Sequence, residues 1–205
     1  MSRLDDLAVK FQSEIRRLGR NCNRAEVLFR RGSIRLRDCE LIYEASFIAS
    51  VADFEQMFEA MLVEMIRMGR GTIKGSYSLI SAKSRIAIRR VVLGGKPYAE
   101  FMPIDKAVKR AAVFLSEPVP FAKIGRAETD ILSQAMYVRN AIAHGSEYAA
   151  EIFRRKVVGV NDLPLNRRRP GAYLRQEFRG GPAQTRHELY LITMHNVSKL
   201  LPLLW

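Results

Sequence analysis

From Asp38 to about Met68 the chain carries one uninterrupted helical pattern. Ile42, Ala45, Ile48, Ala49, Ala52, Phe58, Met61, Leu62, Met65 and Ile66 are apolar and fall on more than one face of that helix. A helix that buries a single side shows a single stripe. This one is expected at the centre of a helical bundle, touched from several directions. Asp38 stands where an N-cap is expected. The acids Glu40, Glu44, Asp53, Glu55, Glu59 and Glu64 also lie along it. A solvated outer face is their ordinary explanation, and pairing with arginines elsewhere is the alternative.

The rest of the chain supplies partners for such a helix. Leu4, Leu7, Phe11, Ile15 and Leu18 recur every three or four residues, which predicts an amphipathic helix over 3–19 ending near Gly19. Residues 20–37 read as a basic connector broken at Gly32. The glycines and prolines of 69–103 predict an irregular insertion, with residues 78–93 left open between helix and strand. Helices are expected over 104–115, from about Glu128 to the stretch YVRNAIAHGS, from Ser146 to Phe153, and from Thr185 to Leu204. Between the last two, residues 154–184 are arginine-rich and punctuated by proline and glycine, which predicts a basic, loop-rich insertion. The fold class is therefore all-α: an antiparallel bundle of four to five main helices. At 205 residues, 48% apolar, it reads as one domain over 1–205.

Several function classes drop out. Cys22 and Cys39 belong to no CxxC or Cys/His cluster, so neither a structural zinc site nor a disulfide scaffold is expected. No HExxH, DxD or GxSxG motif occurs, and GGKP lacks the spacing of a phosphate-cradling loop. No metal or cofactor is expected. The acidic N-terminus MSRLDDLAVKFQ lacks the apolar core of a signal peptide, and no apolar run is long enough for a membrane span. A cytoplasmic protein is the expectation. The net charge of +13 points to a polyanion as partner, with RNA the most abundant one there. Arg167, Arg168, Arg169, Arg175 and Arg179, interleaved with Tyr173 and Phe178, are the candidate RNA-binding residues; a merely solvated loop is the competing reading.

Arg139, Asn140 and His144 are the candidate catalytic set. RNA carries its own nucleophile, the 2′-hydroxyl, beside the scissile phosphate. An enzyme then needs a group to move protons and a cation to hold the charge that develops on phosphate oxygens. An imidazole's ordinary pKa near 6.5 suits it to proton transfer. Arginine supplies a permanent charge and a planar fork of donors. Asn140 can donate or accept without titrating. Five residues separate Arg139 from His144, about 140° around an ideal helix. Joint action on one phosphate therefore requires a loosened helix end near Gly145 or a second chain, and a homodimer with a shared cleft follows as an expectation. Helix capping, or a histidine satisfied by its own fold, is the bland alternative.

Arg139-Asn140-x-x-x-His144 resembles the RNxxxH form of the Rx4–6H signature of HEPN-domain proteins, in wording closest to the RiboL-PSP-like branch. The surrounding IAHG, the earlier helix EASFIASVADFEQMFEAML and a final helix are similar too, so the resemblance covers residues 36–68, 125–150 and 185–204. It implies a dimeric all-α domain and a metal-independent endoribonuclease leaving 2′,3′-cyclic phosphate and 5′-hydroxyl ends. Arg139 would stabilise the phosphate, His144 move the proton and Asn140 position. The implied setting is a toxin, defence or RNA-processing system, with an antitoxin or other acidic protein as a further partner. Toxins of this family that are controlled by adenylylation carry a tyrosine two residues after the histidine; here that residue is Ser146, and Tyr148 follows two further on. Other members are non-catalytic modules for RNA or nucleotide binding or for dimerisation, which is the alternative function.

Overall fold

The computed structural model describes residues 2–71, 76–159, 169–178, 181 and 183–205. Among them it is all-α. Eight α-helices follow one another: α1 (Arg3–Arg30), α2 (Leu36–Met68), α3 (Arg85–Leu93), α4 (Ile104–Phe114), α5 (Arg126–His144), α6 (Glu147–Phe153), α7 (Pro170–Arg175) and α8 (Arg186–Leu203). Extended pairing among these residues is limited to isolated bridges such as Arg70 with Tyr77. No helix among them is long and apolar enough to cross a membrane.

The first helix is longer than its sequence pattern predicts. Gly19 does not end it, because the buried stripe continues through Cys22 and Ala25 to complete a run of Leu4, Ala8, Phe11, Ile15 and Leu18. The 4-3-4-3 spacing of that run outweighs the roughly 1 kcal/mol that a mid-helix glycine costs. At Gly32, φ is +70°, a left-handed turn, and the chain reverses there. The second helix starts at Leu36, two residues before the expected cap. Asp38 acts from inside the first turn instead: its Oδ2 accepts from the backbone N–H of Arg35 at 3.0 Å. This is the reciprocal half of a capping box.

The described chain groups into two compact units, each assembled from separated segments. The first comprises Met1–Gln12, Asp53–Asp130 and His195–Trp205. Its core is a run of rings: Phe11 to Phe54 at 5.5 Å, Phe54 to Phe58 at 4.5 Å, and Phe58 to Phe121 at 5.2 Å between centroids. Each such phenylalanine contributes about 1.5–3 kcal/mol by burial. Glu55 on α2 fastens the irregular segment before α4, accepting from the backbone N–H groups of Phe101 and Met102, each at 3.1 Å. The open choice for 78–93 resolves to helix over Arg85–Leu93, with Ser84 capping its start and Gly94 its end. The expected irregular insertion thus contains a helix of its own.

The second unit comprises Ser13–Ala52 and Ile131–Met194. Tyr43, Phe47, Tyr173, Tyr190 and His187 meet in its core, where the Tyr173 and Tyr190 hydroxyls share a hydrogen bond of 3.0 Å. Gly19 lies close to α8 there; a Cβ added to it would stand 3.4 Å from Leu191 Cδ1. The acids of α2 in this unit are not a solvated face. Glu40 is 1% exposed, and Arg37 and Arg169 both donate to it. Glu44 accepts from Arg37 at 3.0 Å and from the Gly171 backbone N–H at 3.0 Å. The alternative reading, pairing with arginines elsewhere, is the one realised. Nor is 154–184 all loop: α6 continues as a π-helical turn over Arg154–Val158, and α7 follows Arg169.

Candidate functional site

The last turn of α5 places Arg139, Asn140 and His144 in the second unit. Leu132, Ala135 and Val138 bury one face of this helix and fix its rotation. Arg139 and Asn140 consequently flank the buried stripe and are half-buried, while His144, a turn further on, is exposed. Gly145 stops the helix with φ +56°, and a Cβ there would meet nothing within 4 Å. Its backbone conformation, and not crowding, is what favours glycine. Ser146 then caps α6, its Oγ accepting from the Ala149 N–H at 3.2 Å. The motif therefore sits at a sharp corner between two helices, with its polar ends toward solvent.

Arg139 bridges the other two members. Its Nη1 donates to Asn140 Oδ1 at 3.0 Å and lies 3.4 Å from His144 Nε2. A guanidinium can only donate, so this longer contact is a hydrogen bond only when Nε2 carries a lone pair. As a hydrogen bond it uses the tautomer with its proton on Nδ1. The five-residue spacing was expected to require a loosened helix or a second chain, and here it requires neither. α5 remains helical through His144, and the long arginine side chain covers the angle by its reach. Among the described residues Arg139 forms no ion pair with a carboxylate. An unneutralised guanidinium beside an exposed imidazole can bind an oxyanion and exchange a proton at adjacent points.

The buried histidine of the closing helix offers nothing comparable. His187 is 2% exposed, with its ring edge-on to Tyr43 at 5.3 Å and its Nε2 4.0 Å from Cys22 Sγ. Burial holds its pKa down at about 4, so it stays neutral as a core group. His195 lies on α8, where its carbonyl accepts from Ser198 Oγ at 2.7 Å. Both cysteines are buried and free, and burial raises their thiols to about 12 for Cys22 and about 11 for Cys39. Neither is a nucleophile. Among the described residues no group of three or more His, Cys, Asp or Glu side chains is placed to hold a metal ion.

Comparison with known proteins finds no matching family model, no matching curated protein and no matching solved structure. The chemistry has to be argued from the residues themselves.

The arginine-rich candidates separate. Arg167, Arg168 and Arg179 lie outside the described residues. Arg169 keeps an exposed side chain but donates to Glu40 at 3.0 Å. Arg175 is the most enclosed, at 17% side-chain exposure. It grips Glu26 through two hydrogen bonds of 2.7 and 3.0 Å and covers the Phe29 ring at 5.0 Å. Burial alone pushes the Glu26 carboxyl up, but the Arg175 hydrogen bond and charge outweigh it and hold the group below the usual carboxylate range. The structure thus makes Arg175 an internal strut. Sequence reasoning missed its partner Glu26, an acid in a stretch that reads as a basic connector. The only sequence cue is that acid's place one residue past Ala25, at the end of the buried stripe.

Proposed function

We propose that the chain is a metal-independent endoribonuclease, with Arg139 and His144 as its catalytic residues and Asn140 as a positioning residue. The observation that carries the reading is the Arg139–His144 contact: a guanidinium with no carboxylate partner among the described residues, 3.4 Å from the imidazole of an exposed helix end. The resemblance of RNxxxH to the HEPN signature and the +13 charge support it independently.

In the resting arrangement the Arg139 donors are shared between Asn140 and His144. A phosphate is the better acceptor because it is charged, so its arrival draws the guanidinium away and frees the Nε2 lone pair. Neutral His144 then takes the proton of the 2′-hydroxyl as that oxygen bonds to phosphorus. The bond from phosphorus to the 5′-oxygen breaks, and the leaving oxygen takes a proton from water. A 2′,3′-cyclic phosphate and a 5′-hydroxyl result, and the imidazolium returns its proton to solvent. Throughout, Arg139 offsets the charge that builds on the non-bridging oxygens.

The test is cleavage of single-stranded RNA in EDTA by the wild-type chain and by His144→Ala. Wild type is expected to yield cyclic-phosphate ends, and the variant to lose about 10²–10⁴ in rate. A substrate with 2′-deoxyribose at the cleaved position should resist. Cleavage of that substrate at the normal rate would sink the mechanism, and binding without products from wild-type protein would favour a non-catalytic RNA-binding module.

A further inference from the structure

The first unit holds a feature that the α5 motif leaves unexplained. The loop Lys96–Glu100 and the outer side of α4 enclose an open cavity of about 850 Å³, within the range of about 300–1,000 Å³ typical of ligand sites. Its polar lining is strongly biased. Lys96, Lys106, Lys109 and Arg110 face it, against a single acid, Glu100, which pairs with Lys106. Lys96, Lys109 and Arg110 form no ion pair among the described residues. Tyr98 stands at the same cavity and is 66% exposed.

The cations are held in different ways. Arg110 is fixed: its Nη1 donates to the Val92 carbonyl at 2.7 Å, and its guanidinium covers the Phe101 ring at 5.3 Å. In doing so it closes the C-terminal end of α3, the ordinary reason for an arginine there. Lys96 and Lys109 have no such structural duty and are exposed. Lys106, Lys109 and Arg110 recur at helical spacing on one side of α4, followed by exposed Val113. From Lys106 to Arg110 these cations span roughly 6 Å of helix, and Lys96 adds a further charge from the loop. An exposed tyrosine alone means nothing, and neither does a lysine. Together in one cavity they are the combination that single-stranded nucleic acid uses: a ring face for a base and a row of cations for the backbone.

We propose that this cavity binds a nucleotide of a single RNA strand, with a base stacked on Tyr98 and backbone phosphates on Lys96 and Lys109. Arg110 contributes a fixed positive field. The site deepens the ribonuclease reading by giving the RNA a holding point outside the catalytic residues, and it rests on RNA being the ligand. A free nucleotide offers the same base and phosphate; the spread of cations over both the loop (Lys96) and α4 (Lys106, Lys109, Arg110) favours the strand.

The experiment uses the full chain carrying His144→Ala, so that RNA survives the measurement. A fluorescein-labelled oligoadenylate of about twelve nucleotides, within the usual footprint of such surfaces, serves as probe in fluorescence anisotropy. Tyr98→Ala should weaken binding on the order of tenfold, and Tyr98→Phe should restore it. Lys96→Ala with Lys109→Ala should lower the slope of log affinity against log salt by about 1.4, two phosphates' worth for a single strand. All of these side chains are exposed, and unchanged melting temperatures will show that the fold is intact. Unchanged affinity in Tyr98→Ala overturns the proposal, as does an abasic oligomer that binds as tightly as the adenylate. Competition by AMP as strong, per nucleotide, as by the oligomer overturns the strand in favour of a free nucleotide. The two readings fail separately. If wild type does not cleave but Tyr98 governs binding, the ribonuclease reading falls and this site stands; if it cleaves and the Tyr98 and lysine variants bind as before, the reverse holds.

Discussion

In the proposed reaction Arg139 supplies the charge and His144 moves the proton, and single substitutions should separate the two. Arg139→Ala removes the cation from the developing phosphate charge and is expected to cost about 10²–10³ in rate. Arg139→Lys keeps the charge but not the planar fork that reaches Asn140 and phosphate together, so it should recover only part of that loss. Equal rates for Arg139→Lys and wild type in the EDTA assay would mean that charge alone suffices. His187 tests a different property, the stability of the core. Its pKa is about 4 when folded, against an ordinary 6.5. As pH falls below about 6.5 the unfolded chain takes up a proton that the buried ring refuses. The stability contributed by the neutral ring is therefore whole above that pH and is lost as pH falls toward 4. Between pH 7 and pH 5 the loss should be about 2 kcal/mol from this group. Urea unfolding of wild type and His187→Gln at both pH values checks it: the gap between them should narrow at the lower pH.

At the scale of elements, α7 shows how the arginine-rich segment is tied down. Gly171 allows its backbone to lie against α2, where a Cβ would meet Glu44 Oε1 at 2.7 Å, and Glu40 Cβ and the Glu40 carbonyl each at 2.8 Å. The last of these is backbone and cannot swing aside. Gly171→Ala should therefore destabilise the chain by about 1–3 kcal/mol in urea unfolding, whereas Ala172→Gly, one position along, should cost only about 1 kcal/mol. This docking also marks where sequence stopped being legible. Strong local signals declared themselves, as in α2 from its multi-faced apolar pattern and α6 from its Ser146 cap. α1 beyond Gly19 was hidden because its buried positions there, Cys22 and Ala25, are small and sit among arginines. The buried acids of α2 were ambiguous for a related reason. A glutamate carries no sequence mark of whether it meets water or, as Glu40 does, an arginine 129 residues away. The candidate site was readable as a motif, but an angle on a helical wheel ignores side-chain length, and Arg139 has enough of it to reach His144.

For the whole molecule, internal ion pairs leave the excess of +13 almost intact. Glu26, Glu40, Glu44, Glu59 and Glu64 are all taken by arginines. Those pairs cancel internally, while Arg139, Lys96, Lys109 and Arg110 lack a carboxylate among the described residues. Among the described residues, the field available to a polyanion is thus set by unpaired side chains at the RNxxxH motif and at the α4 cavity. This bears on oligomeric state. The expectation of a homodimer rests on the five-residue spacing and on the HEPN resemblance, and the contact within one chain removes the first of these grounds. If the catalytic pair is complete in each chain, mixing inactive Arg139→Ala with inactive His144→Ala should leave the mixture inactive. Each chain would then lack one half of its own pair. A cleft shared by two protomers predicts otherwise, because a mixed dimer places an intact arginine from one chain opposite an intact histidine from the other. Recovery of a substantial fraction of wild-type cleavage on mixing, tracked against the mass of the assembly in solution, would establish the shared cleft. With Arg139 already 3.4 Å from the His144 of its own chain, no recovery is expected.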